Sequence, residues 1–431
     1  MLKNKAIRSI SFLWVGSLFG AGCAFLSQVV LARTLGTSGF GMFSAALATV
    51  TLLVPLAGFG VAAYWLKVFG EEGWRARRWW SGSFLFVVVS TAFVILVLSV
   101  WAWLGPHEFS MSILLWLLLS YVLGQVALEL VSSKFQLEEK YLTLAMWQFL
   151  PHLGRLMLVT VGAWWFSNTF SVYMAGLAYA VISVVVLVIG FLILLAMRRG
   201  YFSLQGHGAP SVLMASENKP SPFELVAEAW PFGAAGLFYL IYFQSAVILL
   251  AYLINSTASG IYNVAFIIMA AVYLFPSVIY QKYLLPKIHR WANSDRVKML
   301  ETFRLGNRYM LLFGSVAMIL LWLGGWWLIP LLFGEEYIES VWVLNVLALA
   351  APIRFVASSV GSVLVTKENM KRKVRYMGIV GLFNVILNIV MIPFFGVIGA
   401  AIASVASDSL LLFLYFQAVF KLGYMKRIES V

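Results

Sequence analysis

Twelve long apolar runs constrain this chain more than any other feature. They span 10–32, 41–65, 81–104, 111–131, 143–165, 172–197, 229–253, 259–281, 305–329, 339–363, 376–393 and 397–420. One crossing of a bilayer takes about 20 apolar residues in helical form. Lipid offers the backbone no hydrogen bonds, so only helices and closed barrels cross it. Barrel strands alternate apolar and polar residues over about ten positions, and these runs do not. The expected fold is therefore an all-α integral membrane protein of about twelve transmembrane helices.

Composition agrees. Of the 431 residues, 62% are hydrophobic and 11% charged, against about 25% charged in a soluble domain. The net charge of +13 has the size expected of a nucleic-acid binder. Here, however, the cations come in short bursts between apolar runs, so no nucleic-acid partner is expected. They follow the positive-inside rule instead. With the N-terminus in the cytoplasm, 27 of the 30 Lys and Arg fall in the N-terminal tail, in every second loop, or in the C-terminal tail. Both termini are expected in the cytoplasm. The first run is too long for a signal peptide and is followed at once by another, which marks it as an uncleaved first helix. The single cysteine, Cys23, permits no intramolecular disulfide and is expected to be a small packing residue. No metal or cofactor is expected.

The longest loop contains Gly206, Gly208, Pro210, Pro220 and Pro222, which mark a linker. It divides the chain into an N-lobe at 1–200 (helices one to six), a cytoplasmic linker at 201–228 and a C-lobe at 229–431 (helices seven to twelve). Two six-helix halves around a substrate site are a common transporter plan. The halves echo each other: in the stretches Leu35–Ala46 and Ile254–Ala265, Gly41 aligns with Gly260, Phe43 with Tyr262 and Ala46 with Ala265.

Three cations fall outside the cytoplasmic segments: Arg33, Arg155 and Arg354. Arg155 and Arg354 are placed mid-helix, where a charge is expensive unless it faces a cavity or a partner. Either role is open to them: substrate contact, or a structural pair with an acid or carbonyl. His152 lies one turn before Arg155 and shares its face. Arg33, at the outer end of helix one, can reach phosphate headgroups or simply snorkel. Asn384 and Asn388 share a face of helix eleven, as cavity lining or as interhelical hydrogen-bond glue. Asp408 is the one deeply placed acid, either an ion-coupling site or a counter-charge to an arginine. Glu129 is a second ion-coupling candidate, close enough to the end of helix four to snorkel. The tryptophan clusters Trp79-Trp80, Trp164-Trp165 and Trp326-Trp327 suit interfacial anchors.

Two motifs carry a resemblance. The stretch Ala32 to Ser44 (Ala-Arg-Thr-Leu-Gly-Thr-Ser-Gly-Phe-Gly-Met-Phe-Ser) is similar to the helix one–two junction of the polysaccharide-biosynthesis flippases. These belong to the multidrug/oligosaccharidyl-lipid/polysaccharide exporter superfamily. Phe383-Asn384, Asn388, Pro393, Gly396 and Gly399-Ala400-Ala401 resemble its helix eleven–twelve region. The resemblance implies two six-helix lobes around a central cavity, working by alternating access. It implies that an oligosaccharide on an undecaprenyl pyrophosphate carrier is moved from the inner to the outer leaflet of the bacterial plasma membrane. Arg155 and Arg354 suit the cationic lumen of such a flippase, facing it from opposite lobes, although neither falls in the matched motifs. Lipid-linked oligosaccharide and membrane lipids are the expected partners, and other polysaccharide-assembly proteins are further candidates.

The rivals differ in sequence. A drug or cation antiporter of the superfamily should have an acid-rich cavity, and the midplane here holds two arginines against one aspartate. A lipid-II-type flippase is nearer, but commonly carries more than twelve helices. The Gly70 to Arg78 loop loosely resembles a major-facilitator motif but lacks its aspartate. No His-Glu-x-x-His, Gly-x-Ser-x-Gly or Walker sequence is present, and the short outside loops leave no room for a catalytic domain, so an enzyme is not expected.

Overall fold

A computed structural model describes residues 2–167, 169–207, 220–277, 296–364 and 370–421. Every regular element among them is helical, and there is no strand. The α-helices are α1 (Leu2–Leu53), α2 (Val61–Glu72), α3 (Trp80–Leu104), α4 (Phe109–Leu137), α5 (Tyr141–Trp165), α6 (Val172–Arg198), α7 (Pro222–Leu253), α8 (Ser256–Ser277), α9 (Arg296–Phe333), α10 (Ser340–Ala348), α11 (Ala350–Val363) and α12 (Met370–Lys421). Of the expected basic loops, 282–295 and 367–369 lie outside the described residues, as do the linker centre at 208–219 and the C-terminal Lys426 and Arg427.

Helix surfaces are inverted relative to a soluble protein. On α3 the buried stripe is Ser83, Val87, Thr91, Val94, Leu98 and Ala102. The opposite face exposes Leu85, Val88, Val89, Phe93 and Leu96. Large apolar side chains face outward because the surrounding solvent is hydrocarbon. Small residues face inward because close helix packing, not hydrophobic burial, holds helices together there.

Seven stretches of described helix are long and apolar enough to cross a membrane, or eight if the bent pair α10 and α11 is one span. Two are too long for one crossing, at 91 and 50 residues. α5 is not among them, because Gln148, Pro151, His152 and Arg155 dilute its hydropathy. Glycine divides the two longest helices. Gly36 breaks α1 at φ 66°, and Gly396 breaks α12 at φ 57°. Both φ values lie in the left-handed region, which a Cβ disfavours. These breaks separate runs one and two, and runs eleven and twelve.

Backbone contacts divide the chain into two units. Unit 1 holds 1–35 and 46–237; unit 2 holds 36–45 and 238–431. The segment after Gly36 therefore packs with the second half of the chain. Within unit 2 the two echoing glycines meet: a Cβ on Gly41 would come 2.7 Å from the Gly260 nitrogen, and one on Gly260 would come 3.2 Å from the Gly41 nitrogen. Only glycine at both positions allows this approach. Beside it, Asn263 Nδ2 donates to Ser44 Oγ at 2.8 Å and Ser340 Oγ donates to the Ile261 carbonyl at 2.8 Å.

In unit 1 the first part of the expected linker is fastened down. Phe202 is buried against Phe69, Trp74 and Trp80, and the Ser203 N–H donates to Glu138 Oε1 at 3.3 Å. Glu138 Oε2 also pairs with Lys134 at 2.8 Å and Lys140 at 2.9 Å. Burial alone would raise this carboxyl's pKa, but those hydrogen bonds outweigh it and hold it below its usual value. At the far end, α7 begins at Pro222, where proline is tolerated in a first turn.

The twelve-run topology makes a direct prediction. Reporter fusions after Gly70 and Gln136 should be cytoplasmic, and fusions near His107, Ser256 and Glu335 should be external. A cytoplasmic signal at Glu335 would break the count of twelve.

Candidate functional site

Unit 2 contains a cavity of about 460 Å³. It runs along one face of α11, from Arg354 through Ala357, Ser358 and Gly361 to Ser362. That i, i+3, i+4, i+7, i+8 spacing is one helical stripe, about 12 Å long at 1.5 Å per residue. Lys373, Met377 and Val380 of α12 form a second wall, at i, i+4 and i+7. Phe238, Tyr239 and Tyr242 of α7 and Tyr415 of α12 complete an aromatic lining. No carboxylate lines it among the described residues.

α11 can present Arg354 because the helical path bends by 41° at Leu349. The new helix starts at Ala350, which puts Pro352 in its first turn and Arg354 one turn in. Arg354 Nη1 donates to Asp408 Oδ1 at 2.8 Å. Its guanidinium also lies over the rings of Phe243 (4.7 Å), Tyr242 (5.1 Å) and Tyr273 (5.6 Å), which are favourable cation–π positions. Asp408 is buried. It is bonded as a counter-charge to Arg354, one of the two readings open to it from sequence.

Arg155 is different. It is 5% exposed and belongs to unit 1. Its guanidinium lies 4.9 Å from the Tyr121 ring and 5.1 Å from the Tyr179 ring. Its Nε is buried without a hydrogen-bond partner, and among the described residues no carboxylate forms an ion pair with it. His152 is half-buried, and a Cβ placed on Gly20 of α1 would come 3.5 Å from its ring. Neither residue lines the unit 2 cavity.

Asn384 and Asn388 are fully buried and lie off the cavity wall. Ser245 Oγ donates to Asn384 Oδ1 at 2.7 Å, and Asn384 Nδ2 donates to Ser407 Oγ at 3.0 Å. Asn388 Nδ2 donates back to the Asn384 carbonyl at 2.8 Å. Asn384 thus bonds across to α7, whereas Asn388 bonds back within its own helix. Arg33 is exposed beside the Gly36 break, and Glu129 is exposed on α4; neither reaches the cavity lining.

Lys373 is the residue that sequence reasoning missed. It counts there as one of five cytoplasmic loop cations, but α12 starts at Met370, ahead of the apolar run. The available signal was its helical spacing to Met377 and Val380. Unit 1 has a larger cavity, of about 750 Å³, which Glu71, Glu72, Glu224 and Glu228 help to line. Glu228 there is paired with Lys67 at 2.9 Å, and Glu72 with Arg78 at 3.0 Å.

The two arginines should respond differently to removal. Arg354→Ala strands a buried carboxylate, a loss of about 3–5 kcal/mol, so folded protein should fall and Asp408→Asn in the same chain should restore it. Arg155→Ala strands no acid and should leave the unfolding temperature of the purified protein near wild type. Equal destabilisation by both would contradict the assignment.

A family model described as polysaccharide biosynthesis protein matches residues 6–291, more than half of the chain. The probable low-salt glycan biosynthesis flippase Agl15 of Haloferax volcanii is 22% identical over 408 residues, covering 93% of this chain and 80% of the relative. Among solved structures, lipid II flippase MurJ in an inward closed conformation aligns with TM-score 0.72 at 13% identity, over 94% of this chain and 87% of that one. The eukaryotic MATE transporter AtDTX14 aligns with TM-score 0.62 at 13% identity, over 98% and 97%. These structural likenesses establish the fold. With its multi-pass helical architecture and its family match over residues 6–291, this chain belongs to the polysaccharide biosynthesis protein family.

Proposed function

We propose that this chain is an alternating-access flippase that moves an undecaprenyl-pyrophosphate-linked oligosaccharide from the inner to the outer leaflet of a bacterial plasma membrane, through twelve spans with both termini cytoplasmic. The observation that carries the reading is the unit 2 cavity: two cations, an aromatic lining and no lining carboxylate among the described residues.

The chemistry fits the cargo. A pyrophosphate and a polar glycan meet a prohibitive barrier in hydrocarbon. Arg354 is always charged and offers a planar fork of N–H donors suited to phosphate oxygens. Tyr239, Tyr242 and Tyr415 offer flat faces for sugar rings and hydroxyls for their polar edges. An inside-negative potential favours outward movement of anionic cargo, by about 2.3 kcal/mol per charge per 100 mV. Family membership and the flippase named among the relatives support the same reading.

A cation-exporting antiporter, the rival from the same superfamily, would need acids facing its cargo. Here, among the described residues, the acid beside the cavity, Asp408, is engaged by Arg354. A lipid-II-type cargo shares the pyrophosphate and differs in its glycan, so it is an outcome of the same test.

That test is complementation. Strains lacking defined lipid-linked glycan flippases should regain surface polysaccharide when they express this chain. Arg155, whose Nε is buried in unit 1 without a hydrogen-bond partner, is read as a second contact for the anionic cargo, so Arg155→Gln should fail to complement at normal protein abundance. Arg354→Lys should complement partly, because it keeps charge but loses the fork. Failure to restore any such strain, or full rescue by both variants, would refute the reading.

A further inference from the structure

We infer that Lys373 supplies the net positive charge that holds a phosphate in the unit 2 cavity, while Asp408 keeps Arg354 as an oriented, charge-neutralised hydrogen-bond fork. The inference rests on the proposed pyrophosphate cargo and divides the labour within that site.

Electrostatics carries it. Arg354 and Asp408 are 2.8 Å apart, so from the cavity they act as a dipole. A dipole's potential falls with distance faster than that of a single charge. Lys373 lines the same cavity and forms no ion pair among the described residues. Among the described residues its charge is therefore the uncompensated one, and in a medium of low dielectric it reaches furthest.

Donor counting supports the same division. Ser358 Oγ donates to the Arg354 carbonyl at 2.9 Å, and Ser362 Oγ donates to the Ser359 carbonyl at 2.7 Å. Both lining serines have thus committed their single protons to the backbone of α11. What can still donate to a phosphate is the Lys373 ammonium, the remaining N–H groups of Arg354 and the hydroxyls of Tyr239 and Tyr415, since the Tyr242 hydroxyl bonds to Asp408. Arginine carries five N–H donors, and the one bond to Asp408 fixes the plane of the others. Asp408 is in this sense a positioning residue.

The test uses the full chain in lipid nanodiscs, with calorimetric titration of inorganic pyrophosphate and thermal unfolding of each variant. Lys373→Met should weaken binding more than about tenfold, equivalent to about 1.4 kcal/mol, and flatten its salt dependence, at an unchanged unfolding temperature. Lys373→Arg should bind nearly as wild type. Asp408→Asn keeps a hydrogen-bond acceptor for Arg354 and removes the neutralising charge, so it should bind more tightly. A merely structural Asp408 would give the opposite result. Wild-type affinity in Lys373→Met, weaker binding in a folded Asp408→Asn, or no binding by the wild type would overturn the inference. If Asp408→Asn does not fold, the Lys373 pair decides alone. Binding lost on adding anionic phospholipid to the discs would assign the site to bilayer headgroups and overturn the cargo role. Pyrophosphate binding without flipping of a lipid-linked glycan would instead reject the flippase reading and leave the charge division standing.

Discussion

A solvent that forms no hydrogen bonds is the constraint on which the rest of this structure depends. In hydrocarbon, each backbone N–H and C=O must be satisfied within the protein, which makes every described regular element a helix. It also removes the usual reward for burying large apolar residues. The inverted faces of α3 follow, as does the close meeting of Gly41 and Gly260. Polar groups are then found where they have partners: Asn384 with Ser245 and Ser407, Glu138 with two lysines and the Ser203 N–H.

The same constraint gives the Arg354–Asp408 pair its importance. A lone arginine at that depth would be costly, and a lone aspartate equally so. Bonded together, and covered by three aromatic rings, they can stand beside a cavity lined by a lysine and tyrosines. Arg155 solves the problem with aromatic faces alone among the described residues. One arginine has an acid partner and the other does not, so they are not interchangeable, although from sequence they look alike.

Much of the fold was legible because lipid imposes a crude rule: long apolar runs become helices. The breaks at Gly36 and Gly396 fall in the gaps between expected runs, although neither glycine was read there as the cause of a break. What was not legible came from tertiary contacts. Nothing in the linker's composition reveals that Phe202 docks among Phe69, Trp74 and Trp80, or that residues 36–45 pack with the second half of the chain. Among the candidate residues, Arg155, Arg354 and Asp408 announced themselves as charges within apolar runs. That Asp408 meets Arg354, 54 residues away, depends on how α11 and α12 pack. Asn384 and Asn388 showed a shared face, but not which neighbour that face meets. Lys373 was hidden by its company: in a basic loop, a cation that lines a cavity looks like one that sets topology.

The most direct test of the central claim is transbilayer movement in a defined system. Purified chain in proteoliposomes, given a fluorescent polyprenyl-pyrophosphate-linked oligosaccharide in the inner leaflet, should expose that glycan to an external lectin faster than protein-free vesicles do. An outward-negative-to-positive gradient, negative inside, should speed the exposure. Exposure no faster than in empty vesicles, from protein that remains folded and binds pyrophosphate, would contradict the account.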